Sequence, residues 1–125
     1  MLNILLIEDN DDNADIMTQL LSHKGHKIHH VVNGLSGVEI VDKKPVDIAL
    51  VDLGLPDVSG MSVIALIKRQ LKDIPIVVVS ARTDYPNWQE AINKGCVGYI
   101  TKPIDVSTFS STIEELHAEY PSNIK

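Results

Sequence analysis

Apolar residues along the chain gather into five short runs rich in Ile, Leu and Val. They lie at 2–7 (LNILLI), 28–32 (IHHVV), 46–51 (VDIALV), 76–80 (IVVVS) and 97–101 (VGYIT). Each run has the length of a strand, and each is followed by apolar residues at helical spacing. After the first run come Ala14, Met17, Leu20 and Leu21 within 11–24, with Gly25 where a helix ends. After the second, Leu35, Val38 and Val41 mark the inward face of a helix over 34–43, which Pro45 closes. Beyond a loop with Pro56 and Gly60, Ile64, Ile67 and Leu71 share one face, and Pro75 opens the fourth strand. Trp88, Ala91 and Ile92 lie on one side of a helix over 84–94, stopped by Gly95. Val106, Phe109, Ile113 and Leu116 predict a last amphipathic helix. There is no internal repeat. Five strand–helix pairs predict a single α/β domain with a mostly parallel sheet covered on both faces. Right-handed crossovers then bring every strand's carboxyl end to one edge, where such sheets bind ligands.

That edge explains a second pattern: the apolar runs finish on polar groups. Glu8 and Asp9 follow the first, Asp52 the third, Ser80 ends the fourth, and Lys102 stands just past the fifth. Converging carboxylates repel one another unless a cation neutralises them. An all-oxygen acid cluster suits a hard ion, and Mg²⁺ is commonly held by one or two carboxylates together with a phosphate oxygen. Lys102 supplies a fixed positive charge and Ser80 a hydroxyl donor. The set is suited to a phosphoryl group on or near an aspartate, assisted by a divalent metal.

Composition narrows the context. The chain has 125 residues, 44% hydrophobic and 22% charged, enough for one core without staples. Aromatics are 4%, so Ile, Val, Leu and Ala must fill that core. A formal charge of −6 argues against a phosphate-backbone binder, so no nucleic-acid partner is expected. A lone cysteine, Cys96, suits a reducing compartment and an inert buried thiol. With no membrane-length apolar run and no signal-like start, a cytoplasmic protein without membrane attachment is expected.

The ordered set LLIEDN, LVDLGLPDVSG, Ser80 followed by Ala81, and GYITKP resembles the receiver domain of two-component response regulators. The resemblance runs from Leu2 to about Leu116. It implies a doubly wound (βα)5 domain with strand order 2-1-3-4-5, flavodoxin-like, over 1–125, with no output domain. It implies that Asp52 is the phosphoacceptor, with Mg²⁺ held by Asp9, Asp52 and the Gly54 carbonyl, and by Glu8 mainly through water. Lys102 would pair with Asp52 at rest and with the phosphoryl group afterwards, and the Lys102–Pro103 peptide would be cis. Ser80 and Tyr99 would be the switch pair, reshaping the surface of the fourth helix, fifth strand and fifth helix. The implied partners are a sensor histidine kinase or histidine phosphotransfer protein and a downstream protein target. The domain would load and lose its own phosphoryl group without being a conventional enzyme. Gly54 and Arg82 occupy positions that tune phosphate lifetime, Leu55 replaces the usual Met, and Gly98 precedes Tyr99.

Other readings compete. Asp11 and Asp12 fit a helix N-terminus, and Asp57 a turn. An aspartate-nucleophile phosphatase wants a second carboxylate where Gly54 stands. No Gly-rich loop follows a strand, which disfavours a nucleotide. A pseudo-receiver that docks partners without phosphorylation remains the alternative, although such chains usually lose the acceptor, the acid pair or the lysine. His23, His26, His29 and His30 invite a metal reading, but they span a helix end, a turn and a strand, and a solvated cluster of diverging side chains is expected. Trp88 serves either as a core anchor or as a partner contact, with the balance slightly toward contact.

Overall fold

The computed structural model of the chain describes residues 1–82 and 84–123. Five strands and five helices alternate: β1 Asn3–Ile7, α1 Asp11–His23, β2 Lys27–Val31, α2 Gly34–Lys43, β3 Ile48–Val51, α3 Gly60–Gln70, β4 Ile76–Ser80, α4 Tyr85–Asn93, β5 Gly98–Thr101 and α5 Phe109–Asn123. The strands form one parallel sheet in the order β2-β1-β3-β4-β5. The doubly wound topology expected from the sequence is therefore the one observed.

The period of two along each strand divides the core between the faces. Ile4 and Leu6 of β1 pack with Ala14, Met17 and Leu21 of α1 and with Phe109 and Ile113 of α5. Leu5 and Ile7 point the other way, toward Val63, Ile64 and Ile67 of α3, Val41 of α2 and Ala91 of α4. Because both faces are covered, β1, β3 and β4 are apolar at nearly every position rather than alternating.

Helix starts follow a shared local rule. The side chains of Asn10, Asn33, Ser59 and Asp84 accept from the N–H groups of Asn13, Ser36, Ser62 and Asn87. Each satisfies one of the unpaired donors of a first turn. Gly25 and Gly95 end α1 and α4 with φ of +90° and +96°, a region that other residues enter only with strain.

Two expectations change. Leu35 does not face inward: it is 50% exposed, while Gly34, Gly37 and Val41 make the buried face of α2. A Cβ on Gly37 would collide with the Ile7 side chain, which fills the space above the glycine and would have to shift to admit it. Large apolar residues were a poor guide there because the contact is made by glycines. Val106 is 62% exposed and precedes α5, which begins at Phe109. Of the two readings of Trp88, the core anchor is the one not favoured: the residue is 43% exposed, while Ala91, one turn later, is fully buried.

Candidate functional site

The strand order reverses at β1, whose neighbours are β2 on one side and β3 on the other. Helices leaving β1 and β3 go to opposite faces, which opens a crevice at their carboxyl ends. Backbone ladder bonds continue one residue past the strands and set the site's register. Glu8 N–H donates to Val31 O at 3.1 Å and Asp52 N–H to Ile7 O at 3.1 Å. On the other side, Lys102 N–H donates to Ser80 O at 2.9 Å. Glu8, Asp52 and Lys102 thus stand one residue past a strand's end, each donating its N–H to the last residue of a neighbouring strand, and Ser80 is itself the last residue of β4.

The acids converge. One oxygen from each of Glu8, Asp9 and Asp52 lies within 4.8 Å of the others, the one such group of three or more His, Cys, Asp or Glu among the described residues. Glu8, Asp52 and Ser80 are buried, whereas Asp9 is exposed. Lys102 Nζ lies 2.6 Å from Glu8 Oε1 and 3.4 Å from Asp52 Oδ2. The expected pairing of Lys102 with Asp52 is therefore shared, and Glu8 is its closer partner. Glu8 has the more deeply buried carboxylate and gains more from a counter-ion. Its second oxygen accepts from Asn10 N–H at 3.2 Å. Burial pushes the Glu8 carboxyl above its ordinary range, the Lys102 and Asn10 hydrogen bonds pull it back, and the charge of Asp52 pushes it up again.

The donor set fits a small hard cation. Octahedral oxygen ligands about 2.1 Å from Mg²⁺ stand about 3 Å apart when adjacent and about 4 Å when opposite, a spacing these three oxygens can meet. Both Glu8 oxygens are already engaged, one by Lys102 and one by Asn10 N–H, whereas Asp9 is exposed. Asp52 Oδ1 also accepts from Gly54 N–H at 3.2 Å. A Cβ on Gly54 would meet Asp52 Oδ1 at 4.0 Å and nothing closer, so that flank of Asp52 is open. Gly60 has the opposite reason to be glycine: its Cβ would fall 2.6 Å from the Asp52 carbonyl oxygen, where α3 begins hard against this loop.

Ser80 and Tyr99 meet through one peptide segment. Arg82 N–H donates to Ser80 Oγ at 3.1 Å, and Tyr99 OH donates to Arg82 O at 2.6 Å. The Tyr99 ring packs against the α2–α3–α4 side of the core. Burial raises its phenol above the ordinary value. Arg82 thus takes part through its main chain, a role invisible in its side-chain identity. The Lys102–Pro103 peptide is cis, as expected.

Residues 4–114 match the family described as the response regulator receiver domain. The chain belongs to that family. Among curated relatives, the receiver is 31% identical over 114 residues to the polar-differentiation response regulator DivK of Brucella anthropi, covering 90% of this chain and 93% of the relative. The DivK of Brucella ovis is 30% identical over the same shares. In fold, the receiver superposes on a CheY-like receiver domain protein from Methanospirillum hungatei with a TM-score of 0.92 at 21% identity, covering 98% of both chains. Chemotaxis protein CheY4 of Vibrio cholerae gives 0.88 at 20% identity, covering 93% of this chain and 98% of that one. The receiver is thus a module of two-component signalling, a class that works with kinases and downstream targets. No helix among its described residues is long and apolar enough to cross a membrane.

Several contacts escaped sequence reading. Asp57 accepts from Gly34 N–H at 2.8 Å and Leu35 N–H at 3.0 Å, clasping the start of α2 from the β3–α3 loop. Those bonds hold its carboxyl below the ordinary range. The histidines do diverge, but they are not all solvated. The His26 side chain is 6% exposed, with Nδ1 accepting from Leu2 N–H at 3.0 Å and Nε2 2.7 Å from Glu114 Oε2. Burial of Cys96 pushes its thiol up to about 12, in keeping with an inert role.

Proposed function

We propose that this receiver is a phosphorylation switch in which Asp52 takes a phosphoryl group from a phosphohistidine of a sensor kinase or histidine phosphotransfer protein. The observation that carries the reading is the convergence of Glu8, Asp9 and Asp52 within 4.8 Å, with Lys102 Nζ reaching both buried acids. Asp52 attacks phosphorus in line as the P–N bond breaks, and the bonding pair returns to the imidazole nitrogen, which then takes up a proton. A bound Mg²⁺ would screen the two anions and the charge developing between them. Asp9, Asp52 and the Gly54 carbonyl are the residues to hold it, with Glu8 acting through water.

The chain's own groups then read the new charge. Lys102, already 3.4 Å from Asp52, swings from Glu8 toward a phosphoryl oxygen. Ser80 Oγ turns its proton to another, and because Arg82 joins Ser80 to Tyr99, the loop and the ring move with it. Contacts made in one arrangement alone bias a two-state equilibrium. The surface that changes is α4–β5–α5, where a downstream target binds. The cycle ends in hydrolysis at the open flank beside Gly54. The phosphoryl group rests on the protein itself, so the domain is a self-loading and self-clearing acceptor rather than a conventional enzyme.

Beside Lys102, a cavity of about 110 Å³ is lined by Asn13, Ile16, Met17, Pro103, Ile104 and Val106. Ile16 and Val106 are exposed at its mouth, which suits an apolar side chain of the phosphodonor. The test is intact mass after incubation with Mg²⁺ and acetyl phosphate, for the wild type beside Asp52→Ala. A single acid-labile adduct, absent from the variant and abolished by chelator, is expected. No adduct on the wild type would sink the reading and favour a docking module that works without phosphorylation.

A further inference from the structure

The acid pair lies in the turn between β1 and α1, so its geometry depends on whatever holds that turn. Glu8 N–H extends the β1–β2 ladder to Val31 O at 3.1 Å, fixing the peptide plane before Glu8. The next plane, joining Glu8 to Asp9, lies beyond the last strand residue of β1. Its carbonyl oxygen is met instead by a side chain: His30 Nε2 lies 2.8 Å from Glu8 O. A carbonyl carries no proton, so Nε2 is the donor, and both the neutral Nε2–H tautomer and the imidazolium make the bond.

We propose that His30 is a positioning residue for the metal site, acting through the Glu8–Asp9 peptide. This inference rests on the metal-assisted reading above. A peptide unit is planar, so holding its oxygen also fixes its N–H and the Asp9 Cα on its far side. The following plane is held as well, because Asn10 N–H donates to Glu8 Oε2 at 3.2 Å. Asp9 therefore stands between two tethered planes, although its carboxylate is exposed. Of the two tethers, the Glu8 carboxylate is shared with Lys102 and changes partners if that lysine moves. The His30 tether involves no group of the reacting set, so it holds Asp9 while Lys102 and Asp52 rearrange. Nothing in the residue's identity announces this, since a histidine on an edge strand has many uses. The register makes the assignment: His30 pairs with Leu6, two residues before the carbonyl it reaches.

The experiment titrates Mn²⁺, read by the free-ion paramagnetic resonance signal, into wild type, His30→Leu and His30→Gln. Thermal midpoints in chelator are measured alongside. Leucine fills space without donating, whereas the glutamine amide places a donor near the position of Nε2. His30→Leu is expected to weaken Mn²⁺ binding about three- to tenfold, below the effect of a direct partner of a ligand because it acts through the backbone. His30→Gln is expected to restore wild-type affinity, whatever the order of the midpoints. Wild-type affinity in His30→Leu, or equal weakening in both variants, would overturn the proposal and leave the metal reading intact. Failure of the wild type to bind Mn²⁺ would overturn both.

Discussion

Lys102→Met separates the charge of the site from its packing, because methionine keeps most of the aliphatic stem and loses the ammonium. Lys102 stands 2.6 Å from a Glu8 carboxylate that is 1% exposed. At an effective dielectric of about 20, such a contact carries roughly 6 kcal/mol of gross attraction. Removing the ammonium of a side chain that is 15% exposed also removes its own desolvation cost. If that offsets about half, the net loss is about 2–4 kcal/mol, near the usual cost of leaving a buried charge without its partner. The loss should depend on pH in a definite direction. The Glu8 carboxyl already sits above its ordinary value, with Lys102 among the groups restraining the shift. Without Lys102 it rises further. A carboxyl raised in the folded state holds its proton more tightly there, so stability falls as pH climbs from the unfolded value through the folded one. The gap between variant and wild type is therefore widest near neutrality and narrows toward the acid side of the ordinary carboxyl range, where Glu8 is protonated in both states. Urea unfolding followed by circular dichroism, in chelator, at about pH 7.5 and about pH 4.5, reads the gap directly. An equal gap at both values would refute the electrostatic argument and assign the cost to packing of the lysine stem.

Two glycines and the cysteine offer further checks. Gly37→Ala should destabilise by about 1–3 kcal/mol through overpacking, less any gain in helix propensity, since its Cβ would meet Ile7 at 2.3 Å. Gly25→Ala meets nothing within 4 Å, so its cost of about 1 kcal/mol comes from backbone strain alone. A Gly37→Ala midpoint below wild type supports the tight fit of α2 against Ile7; a midpoint at or above wild type contradicts it. Cys96, with its thiol raised to about 12, should resist a disulfide reagent at mildly alkaline pH and react on adding denaturant. Prompt labelling of the native protein would show that the strand approach to β5 opens readily.

Much of the site was legible because the sheet is parallel. Every crossover returns to the same edge, so a polar residue directly after an apolar run has few places to be. Glu8, Asp9, Asp52, Ser80 and Lys102 could be collected from the chain on that reasoning. Arg82 was read for its side chain, yet its peptide joins Ser80 to Tyr99. The inward face of α2 was misread at Leu35, because close contact selected Gly34 and Gly37 over a larger apolar neighbour. Hydrophobic periodicity measures what a residue gains by burial and is blind to where neighbouring side chains leave no room for a Cβ.

The sequence by itself determined the alternation of strands and helices, the two-faced burial of the sheet and the chemical groups delivered to its carboxyl edge. These follow from local period and from chirality, which act on any chain with this pattern. Tertiary structure alone decided that Lys102 sits closer to Glu8 than to Asp52, that His30 holds the Glu8 carbonyl, and that His26 joins Leu2 to Glu114. Such pairings span 22 to 94 positions along the chain and depend on differences of about an ångström in distance. Periodicity says which face a side chain takes; the partner on that face is chosen by packing, burial and the need of each buried charge for a counter-charge.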